Sequence, residues 1–326
     1  MSDTLKARAL PPGGTIGVPA PGWSRYDQSE FRSGVDWWES RGHPVRVDDR
    51  VFSLRRYLGD HPEEQAEEIT QMFADPEVAA IQCYDAGYGA ARIIPHLDFA
   101  VIAANPKPFV GYSDTTSLHT ALRMRTGLVT FYGPLLSMMG APERAASAER
   151  LLDALTSSRA LGALPTDGAP VGAWGRGRAT AELVGGCLWP ILQSVGTPWQ
   201  IDLAGRILFF EDTGKPPHLV CEQLTQLSHA GLLDGVAGVA IGEMVGCDWS
   251  AVPTEAPRPM SVHEVFDEHL TSLGVPVVYG LPLGHGEHLM TIPLGVRATV
   301  DADARSLTIE EPALLPVGAE APALRP

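Results

Sequence analysis

The first 140 residues alternate short apolar runs with amphipathic helical patterns, and this alternation limits the fold more than any other feature of the sequence. The apolar runs lie at residues 15–18, 43–47, 78–83 and 109–110, and helical patterns lie at residues 28–41 and 63–73. Strands and helices that alternate at this spacing are typical of βαβ units and predict an open, mainly parallel sheet with flanking helices. Functional residues of such sheets lie beyond the carboxyl ends of the strands.

The character of the chain changes after residue 140. Residues 141–178 are rich in Pro, Gly, Ala and Ser, which predicts a linker between domains. Short strands are then predicted at residues 181–184, 207–210, 236–241, 275–279, 297–300 and 306–309, with helices between some of them. We therefore predict an N-terminal α/β domain over residues 1–140, this linker, and a second domain over residues 179–326. The Pro-rich tail after Glu311 is expected to be loosely ordered.

Composition limits the partners of the chain. The 326 residues carry 39 acidic and 24 basic side chains, a formal charge of −15, whereas proteins that bind nucleic acids carry basic surfaces. The N-terminus lacks the apolar core of a secretory signal, and no apolar run approaches the roughly 18 residues of a membrane span. We expect a cytoplasmic protein that binds neither nucleic acid nor membrane.

No pattern in the sequence indicates a cofactor or a metal ion. The chain has no Gly-x-Gly-x-x-Gly that opens a helix and no Gly-Lys-Ser/Thr phosphate loop. Its four cysteines are widely separated and form no Cys-x-x-Cys pair, so neither a disulfide framework nor a zinc site is expected. We expect reduced thiols, no cofactor and no metal.

Ser113 lies where a short buried strand turns into a helix, in the segment Gly111-Tyr-Ser-Asp-Thr-Thr116. The glycine permits a tight turn, and Asp114, Thr115 and Thr116 are expected to cap the helix. At such a corner the hydroxyl is held out of the core, and the amides of the next turn face the group that the serine attacks. The segment matches half of the Gly-x-Ser-x-Gly nucleophile elbow. An ordinary capped helix after a strand is the alternative.

A serine nucleophile needs a base, and the base needs an acid that orients it. Among ten histidines, His285 lies in a glycine-flanked loop directly after a predicted buried strand, where functional side chains are commonly held. His288 is its close competitor. Glu211 ends the apolar run at residues 207–210 and is the candidate acid. The alternative is that Glu211 or Asp212 caps the following turn.

Five segments of the chain form a pattern in the order Gly111 to His119, Phe131-Tyr-Gly-Pro134, Leu183-Val-Gly-Gly186, Ile207 to Asp212, and Gly284 to Gly295. This pattern resembles the LD-carboxypeptidases, a family that includes muropeptide-recycling LD-carboxypeptidases and microcin-immunity peptidases. The resemblance covers nearly the whole chain. It implies a serine hydrolase with an N-terminal Rossmann/flavodoxin-like α/β domain that carries the nucleophile. A β-rich α+β C-terminal domain would carry the acid and the base.

The resemblance also implies a role for each candidate residue. Ser113 would be the nucleophile, His285 the general base and acid, and Glu211 the residue that orients His285. The implied oxyanion donors are the backbone amides of Asp114, Ala86 and Gly87, the last two as alternatives. Members of the family commonly form homodimers and need no metal.

Several residues around the implied site depart from the family pattern. The family loop commonly reads Arg-Gly-Gly-Tyr-Gly, where this chain has Asp85-Ala-Gly-Tyr-Gly89. Cys187 stands where the family usually has a substrate-facing asparagine. We therefore expect retained chemistry with altered specificity. The candidate substrate contacts are Asp85, Tyr88, Trp174 and Cys187.

The two branches of the family give two hypotheses for the substrate. The first is a cytoplasmic cell-wall (murein) peptide, from which an LD-carboxypeptidase removes a terminal D-amino acid. The second is a microcin C-like peptidyl or aminoacyl nucleotide, on whose base an aromatic residue such as Trp174 would stack. Packing of Trp174 on its own domain is the alternative, and the shortness of its loop favours the first hypothesis. A third, a non-catalytic binding protein on the same fold, conflicts with the intact Ser113, Glu211 and His285.

Overall fold

The computed structural model describes residues 4–23, 29–47, 49–52, 61–166, 168–169, 171–248 and 260–319. The strands are β1 (Thr15–Val18), β2 (Val45–Val47), β3 (Val78–Gln82), β4 (Phe109–Gly111), β5 (Thr130–Tyr132), β6 (Gly162–Ala163), β7 (Gly172–Trp174), β8 (Arg178–Cys187), β9 (Ile207–Thr213), β10 (Gly238–Val245), β11 (Val277–Tyr279), β12 (Ile292–Leu294), β13 (Arg297–Asp301) and β14 (Ser306–Ile309). The helices are α1 (Ser29–Glu39), α2 (Pro62–Ala74), α3 (Ala90–Ile93), α4 (Phe99–Ala104), α5 (Thr116–Thr126), α6 (Ala145–Thr156), α7 (Leu188–Gln193), α8 (Pro217–His229) and α9 (Val262–Leu270). None of the helices within these ranges combines the length and apolarity of a bilayer span. The predicted first residue of α1, position 28, lies outside the described residues.

The first sheet has six strands in the order β12-β5-β4-β3-β1-β2. Strands β1 to β5 pair in parallel, which confirms the sheet that the strand and helix alternation predicts. Strand β12 pairs antiparallel with β5, with Ile292 opposite Tyr132. The first sheet therefore includes a strand from the region predicted to be the second domain.

The second sheet has eight strands in the order β6-β14-β13-β8-β9-β10-β11-β7. Its central strands β8 to β11 pair in parallel, and the flanking strands pair antiparallel. Helices α7, α8 and α9 lie between successive central strands along the chain. This mixed architecture agrees with the predicted α/β fold class.

Strand β9 connects the two hydrophobic cores. Successive side chains of a strand point to opposite faces. Ile207 and Phe209 join the core that includes the first sheet, whereas Leu208 and Phe210 join the core of the second sheet. Glu211 continues the row of Ile207 and Phe209. Its carboxylate therefore faces the first sheet, although the residue belongs to the second.

A buried ion-pair network joins helix α5 to the second sheet. Arg123 Nε donates to Glu182 Oε1 at 2.7 Å, and Arg206 Nε lies 3.3 Å from Glu182 Oε2. Burial opposes ionisation of Glu182, but the two guanidinium groups hold the pKa of its carboxyl below the ordinary value. The network therefore ties the segment after Ser113 to strand β8.

The C-terminal tail is more ordered than its composition predicts. Ala9 N donates to the Leu315 carbonyl at 2.8 Å, and Leu315 N donates to the Ala7 carbonyl at 2.8 Å. Ala313 and Leu314 are buried. The prediction of loose order is thus wrong for residues 311–319, because the N-terminal segment supplies backbone partners. Residues 320–326 lie outside the described residues.

His119 is buried inside helix α5, between the rings of Phe109 and Tyr132. Burial lowers the pKa of its imidazole from the ordinary 6.5 to about 4, because an apolar environment disfavours the charged form. The folded protein therefore binds a proton at His119 less readily than the unfolded chain does. This difference contributes stability above pH 6.5, and the contribution is lost as the pH falls from 6.5 towards 4.

We expect His119→Leu to flatten the acid side of the pH–stability profile. As the pH falls from 7 to 4.5, His119 should reduce the free energy of unfolding of the unmodified protein by about 2 kcal/mol. Urea unfolding at both pH values measures this loss. His229→Gln, which changes an exposed histidine of α8, is the control and should keep the full loss. If His119→Leu and the unmodified protein lost the same free energy of unfolding between these pH values, the lowered pKa of His119 would be contradicted.

Candidate active site

Ser113 has a left-handed backbone conformation at the end of β4. Its φ is +58°, and Arg305 is the one other non-glycine residue with positive φ in the described part of the chain. Such a conformation costs energy for a residue with a side chain and is common at functional turns. The preceding Gly111 is required, because a Cβ there would lie 2.3 Å from Thr115 Oγ1. The corner has the sharp strand-to-helix geometry of a nucleophile elbow.

The structure brings together the three residues that the sequence singles out for catalysis. His285 Nε2 lies 3.0 Å from Ser113 Oγ, and His285 Nδ1 lies 2.6 Å from Glu211 Oε2. An ionised carboxylate only accepts hydrogen bonds, so Nδ1 carries the proton and Nε2 is free to accept from the serine hydroxyl. Glu211 is completely buried.

Glycine at position 284 lets the His285 loop approach Glu211. Gly284 has a φ of +109°. A Cβ on this residue would lie 2.5 Å from Glu211 Oε2. A larger residue would therefore push the histidine away from the carboxylate.

Tyr132 is a member of this arrangement to which the sequence analysis assigns no role. Its hydroxyl donates to Glu211 Oε1 at 2.5 Å and accepts from Ser113 N at 3.2 Å. The signal for it is its position at the end of β5, the strand next to β4 in the sheet. Tyrosine at a strand end is also an ordinary core residue, so that signal is weak.

The loop at residues 85–89 lies beside the serine corner and is held by two aspartates. Asp85 Oδ1 accepts from Ala86 N at 2.9 Å. Asp114 Oδ2 accepts from Ala90 N at 2.8 Å, just after Gly89. Burial raises the pKa of the Asp114 carboxyl, although the Ala90 amide opposes this shift.

The predicted capping by Asp114, Thr115 and Thr116 is wrong. No side-chain cap is formed at the start of α5. Asp114 reaches the neighbouring loop, and Thr115 Oγ1 donates to the Tyr112 carbonyl at 2.9 Å. Thr116 Oγ1 accepts from Cys187 N at 2.9 Å, which joins α5 to the end of β8. Asp114 and Thr116 thus bond to neighbouring segments, whereas Thr115 bonds locally to the residue before the 3-10 turn at Ser113–Thr115.

Two of the predicted substrate contacts, Asp85 and Cys187, are buried. Asp85 is 4% exposed, and its carboxylate accepts from the loop backbone and from Ser137 Oγ at 3.5 Å. Cys187 is 5% exposed, and its Sγ lies 3.7 Å from Asp212 Oδ1. Burial, followed by the nearby carboxylates, raises the pKa of the Cys187 thiol. Neither side chain offers a free surface to a ligand.

The other two predicted contacts differ from each other. Tyr88 is 49% exposed in the loop beside the serine corner, so it is available to a ligand. Trp174 packs within the second sheet, where β7 pairs with β11, and its ring centroid lies 4.2 Å from that of Tyr279. His263 and Phe266 also contact the Trp174 ring. Packing on its own domain is thus the better description of Trp174.

No three histidine, cysteine or acidic side chains in the described ranges converge to hold a metal ion. The four cysteines are free thiols in the structure. The side chains that hydrogen-bond to one another in the site are those of Ser113, His285, Glu211 and Tyr132.

Two family models match the chain, one before and one after residues 141–178. The model for the LD-carboxypeptidase N-terminal domain matches residues 16–133, and that for the LD-carboxypeptidase C-terminal domain matches residues 180–300. Ser113 and Tyr132 lie in the first matched range, and Glu211 and His285 lie in the second. The two matched ranges thus supply the site jointly.

Named relatives are similar over most of their length. The probable murein peptide carboxypeptidase of Bacillus subtilis is 34% identical over 316 residues, covering 95% of this chain and 95% of the relative. The microcin C7 self-immunity protein MccF of Escherichia coli is 28% identical over 342 residues, covering 95% and 97%. The structure of MccF in complex with aspartyl sulfamoyl adenosine has a TM-score of 0.85 at 25% identity, covering 95% of this chain and 100% of that one.

We expect Asp114→Ala to slow the reaction of Ser113 with a fluorophosphonate probe by about 10- to 100-fold. The change removes the acceptor for Ala90 N and frees the loop at residues 85–89 to move from the serine. Asp114→Asn should react nearly as fast as the unmodified protein, because its amide oxygen still accepts from Ala90 N. Mass spectrometry of the labelled protein measures each rate.

Asp98→Ala is the matched control for this experiment. Asp98 accepts from two backbone amides at the start of α4, far along the chain from the serine corner. Its removal should cost about 1 kcal/mol of stability and leave the labelling rate unchanged. An unchanged labelling rate in Asp114→Ala would refute the role given to its carboxylate.

Proposed function

The chain belongs to the LD-carboxypeptidase family, and we propose that this peptidase uses Ser113, His285 and Glu211 as its catalytic residues. One observation carries the proposal: hydrogen bonds run without a break from Ser113 Oγ through the His285 ring to Glu211, over 3.0 and 2.6 Å. This is the arrangement that activates a serine hydroxyl at neutral pH. A non-catalytic binding protein would not need it.

In the proposed reaction, Ser113 Oγ forms a bond to the carbonyl carbon of the substrate while His285 Nε2 takes the hydroxyl proton. The Glu211 carboxylate stabilises the resulting imidazolium. His285 then gives the proton to the leaving nitrogen as the C–N bond breaks, which leaves an acyl group on Ser113. A water molecule repeats the two steps, releases the acid and restores the serine.

We assign the two oxyanion donors to the amides of Asp114 and Gly87. Ser113 N already donates to Tyr132, and Ala86 N already donates to Asp85, so these two amides are engaged. Gly87 has a φ of +136°, a conformation that side chains rarely allow. The loss of one such donor typically costs about 100- to 1000-fold in rate.

For the substrate, we propose a murein peptide from which the enzyme removes a terminal D-amino acid. The similarity to the Bacillus subtilis relative supports this class. Packing of Trp174 against Tyr279 also favours it over a nucleotide, since the ring that would stack on a base is engaged.

Hydrolysis of a peptidyl or aminoacyl nucleotide is the second candidate. It is supported by the similarity to MccF, whose solved structure contains aspartyl sulfamoyl adenosine. Both candidates break an acyl–nitrogen bond at the same serine, but they differ in the acyl group that the serine receives and in the leaving group. A small substrate panel therefore separates them.

We expect the purified protein to release D-alanine from a murein tetrapeptide that ends in D-alanine. The diastereomer that ends in L-alanine should not react, and aspartyl sulfamoyl adenosine should react slowly or not at all. Chromatography of the products measures all three. Faster cleavage of the sulfamoyl adenosine would select the second candidate, and no reaction with any substrate or with a fluorophosphonate would refute both.

Ser113→Ala should lower kcat on the favoured substrate by at least about 10,000-fold. Ser117→Ala is the matched control, because Ser117 is the next serine along the chain, about one helical turn further on, and is buried in α5. It should keep nearly full activity. Comparable activity in Ser113→Ala and the unmodified protein would refute the proposed nucleophile.

A further inference from the structure

The buried carboxylate of Glu211 has hydrogen-bond donors on both of its oxygens. His285 Nδ1 reaches Oε2 at 2.6 Å, and His285 N lies 3.3 Å from the same oxygen. The hydroxyl of Tyr132 reaches Oε1 at 2.5 Å. Tyr132 is thus the donor that satisfies the side of the carboxylate that the histidine leaves open. An ionised carboxylate without such donors is costly to bury.

The same hydroxyl also holds the backbone of the serine corner. Tyr132 Oη accepts from Ser113 N at 3.2 Å. Ser113 begins the 3-10 turn at Ser113–Thr115 with the left-handed φ of +58°. The first amides of a helical turn have no partner within it, so the Ser113 amide needs one from outside. One oxygen atom therefore contacts both the acid and the serine of the proposed triad.

Tyr132 itself is fixed by packing on every side. It is fully buried, and its ring meets Phe209 of β9 and Tyr112 of the serine corner, with centroids 5.2 and 5.6 Å away. Its backbone pairs with Gly111 in β4 and with Ile292 in β12. Burial, and then the Glu211 charge, raises the pKa of its phenol far above the usual range, so the hydroxyl stays a neutral donor.

We propose that Tyr132 is a positioning residue of this site, whose hydroxyl orients Glu211 and fixes the Ser113 backbone across the junction of the two sheets. The inference rests on the proposed function. Tyr132 does not touch the substrate and acts through Glu211 and Ser113. Its donated hydrogen bond stabilises the buried carboxylate and holds it in the orientation that His285 requires.

The test is Tyr132→Phe, which removes only the hydroxyl. We expect kcat to fall by about 10- to 100-fold with little change in KM, because the reacting groups are misplaced while the substrate surface is kept. We also expect the acid limb of the kcat/KM profile to move to higher pH by at least about 0.5 unit, since the carboxylate beside the proposed base loses a hydrogen-bond donor. A merely structural role would not move this limb.

A second variant gives a change of opposite sign. Incorporation of 3-fluorotyrosine at position 132 keeps the ring and makes the phenol a stronger donor. The acid limb of the kcat/KM profile should then move to lower pH. The fluorinated variant also tests the proposal if Tyr132→Phe does not fold. Tyr279→Phe, which alters a tyrosine packed against Trp174, is the control and should leave kcat and the pH profile unchanged.

The results separate this inference from the proposed function. If the unmodified protein is active and labels at Ser113, while both position-132 variants keep its kcat and its acid limb, the role of Tyr132 is wrong and the triad stands. If the unmodified protein neither hydrolyses the panel nor reacts with a fluorophosphonate, the proposed function itself fails. Shifts of the acid limb in opposite directions for the two variants would support the inference.

Discussion

The burial of one carboxylate between two sheets is the constraint on which the rest of this structure depends. Glu211 ends a row of apolar side chains on β9 and has no contact with solvent. A carboxylate in that position is stable only when donors reach both oxygens. One donor comes from the first sheet, through Tyr132, and the other from the loop that follows β11, through His285. The sheets must therefore meet in one relative position, and that position also brings His285 to Ser113.

Much of this arrangement could be predicted from the sequence, because the signals are local. The alternation of strands and helices predicts the parallel order of β1 to β5. Ser113, Glu211 and His285 each follow a short apolar run and carry chemistry that a core strand does not need. Tyr132 could not be found in this way, because its two bonds join positions 19 and 79 residues away. Tyr132 lies in one of the five family segments, Phe131-Tyr-Gly-Pro134, but nothing within that segment indicates that its hydroxyl reaches Glu211.

Sequence does not specify where the polar side chains around the site form their bonds. The family pattern predicts Asp85 and Cys187 as substrate contacts, yet both are buried, because burial depends on what packs over a segment. Likewise, Asp114 and Thr116 have the side chains of helix caps, and the structure uses their oxygens for Ala90 N and Cys187 N. A polar side chain takes the nearest unsatisfied donor, and around this site that donor belongs to another segment.

The position of β12 affects the order in which the sheets can form during synthesis. Domains at the N-terminus usually fold first as a chain leaves the ribosome. Here the strand beside β5 comes from residues 292–294 of a 326-residue chain. Until those residues emerge, β5 is an open sheet edge, and the backbone that carries Tyr132 has a partner on one side only. The first sheet is therefore completed only after the chain has been made as far as residue 294, and residues 1–140 alone would leave β5 as an unpaired edge.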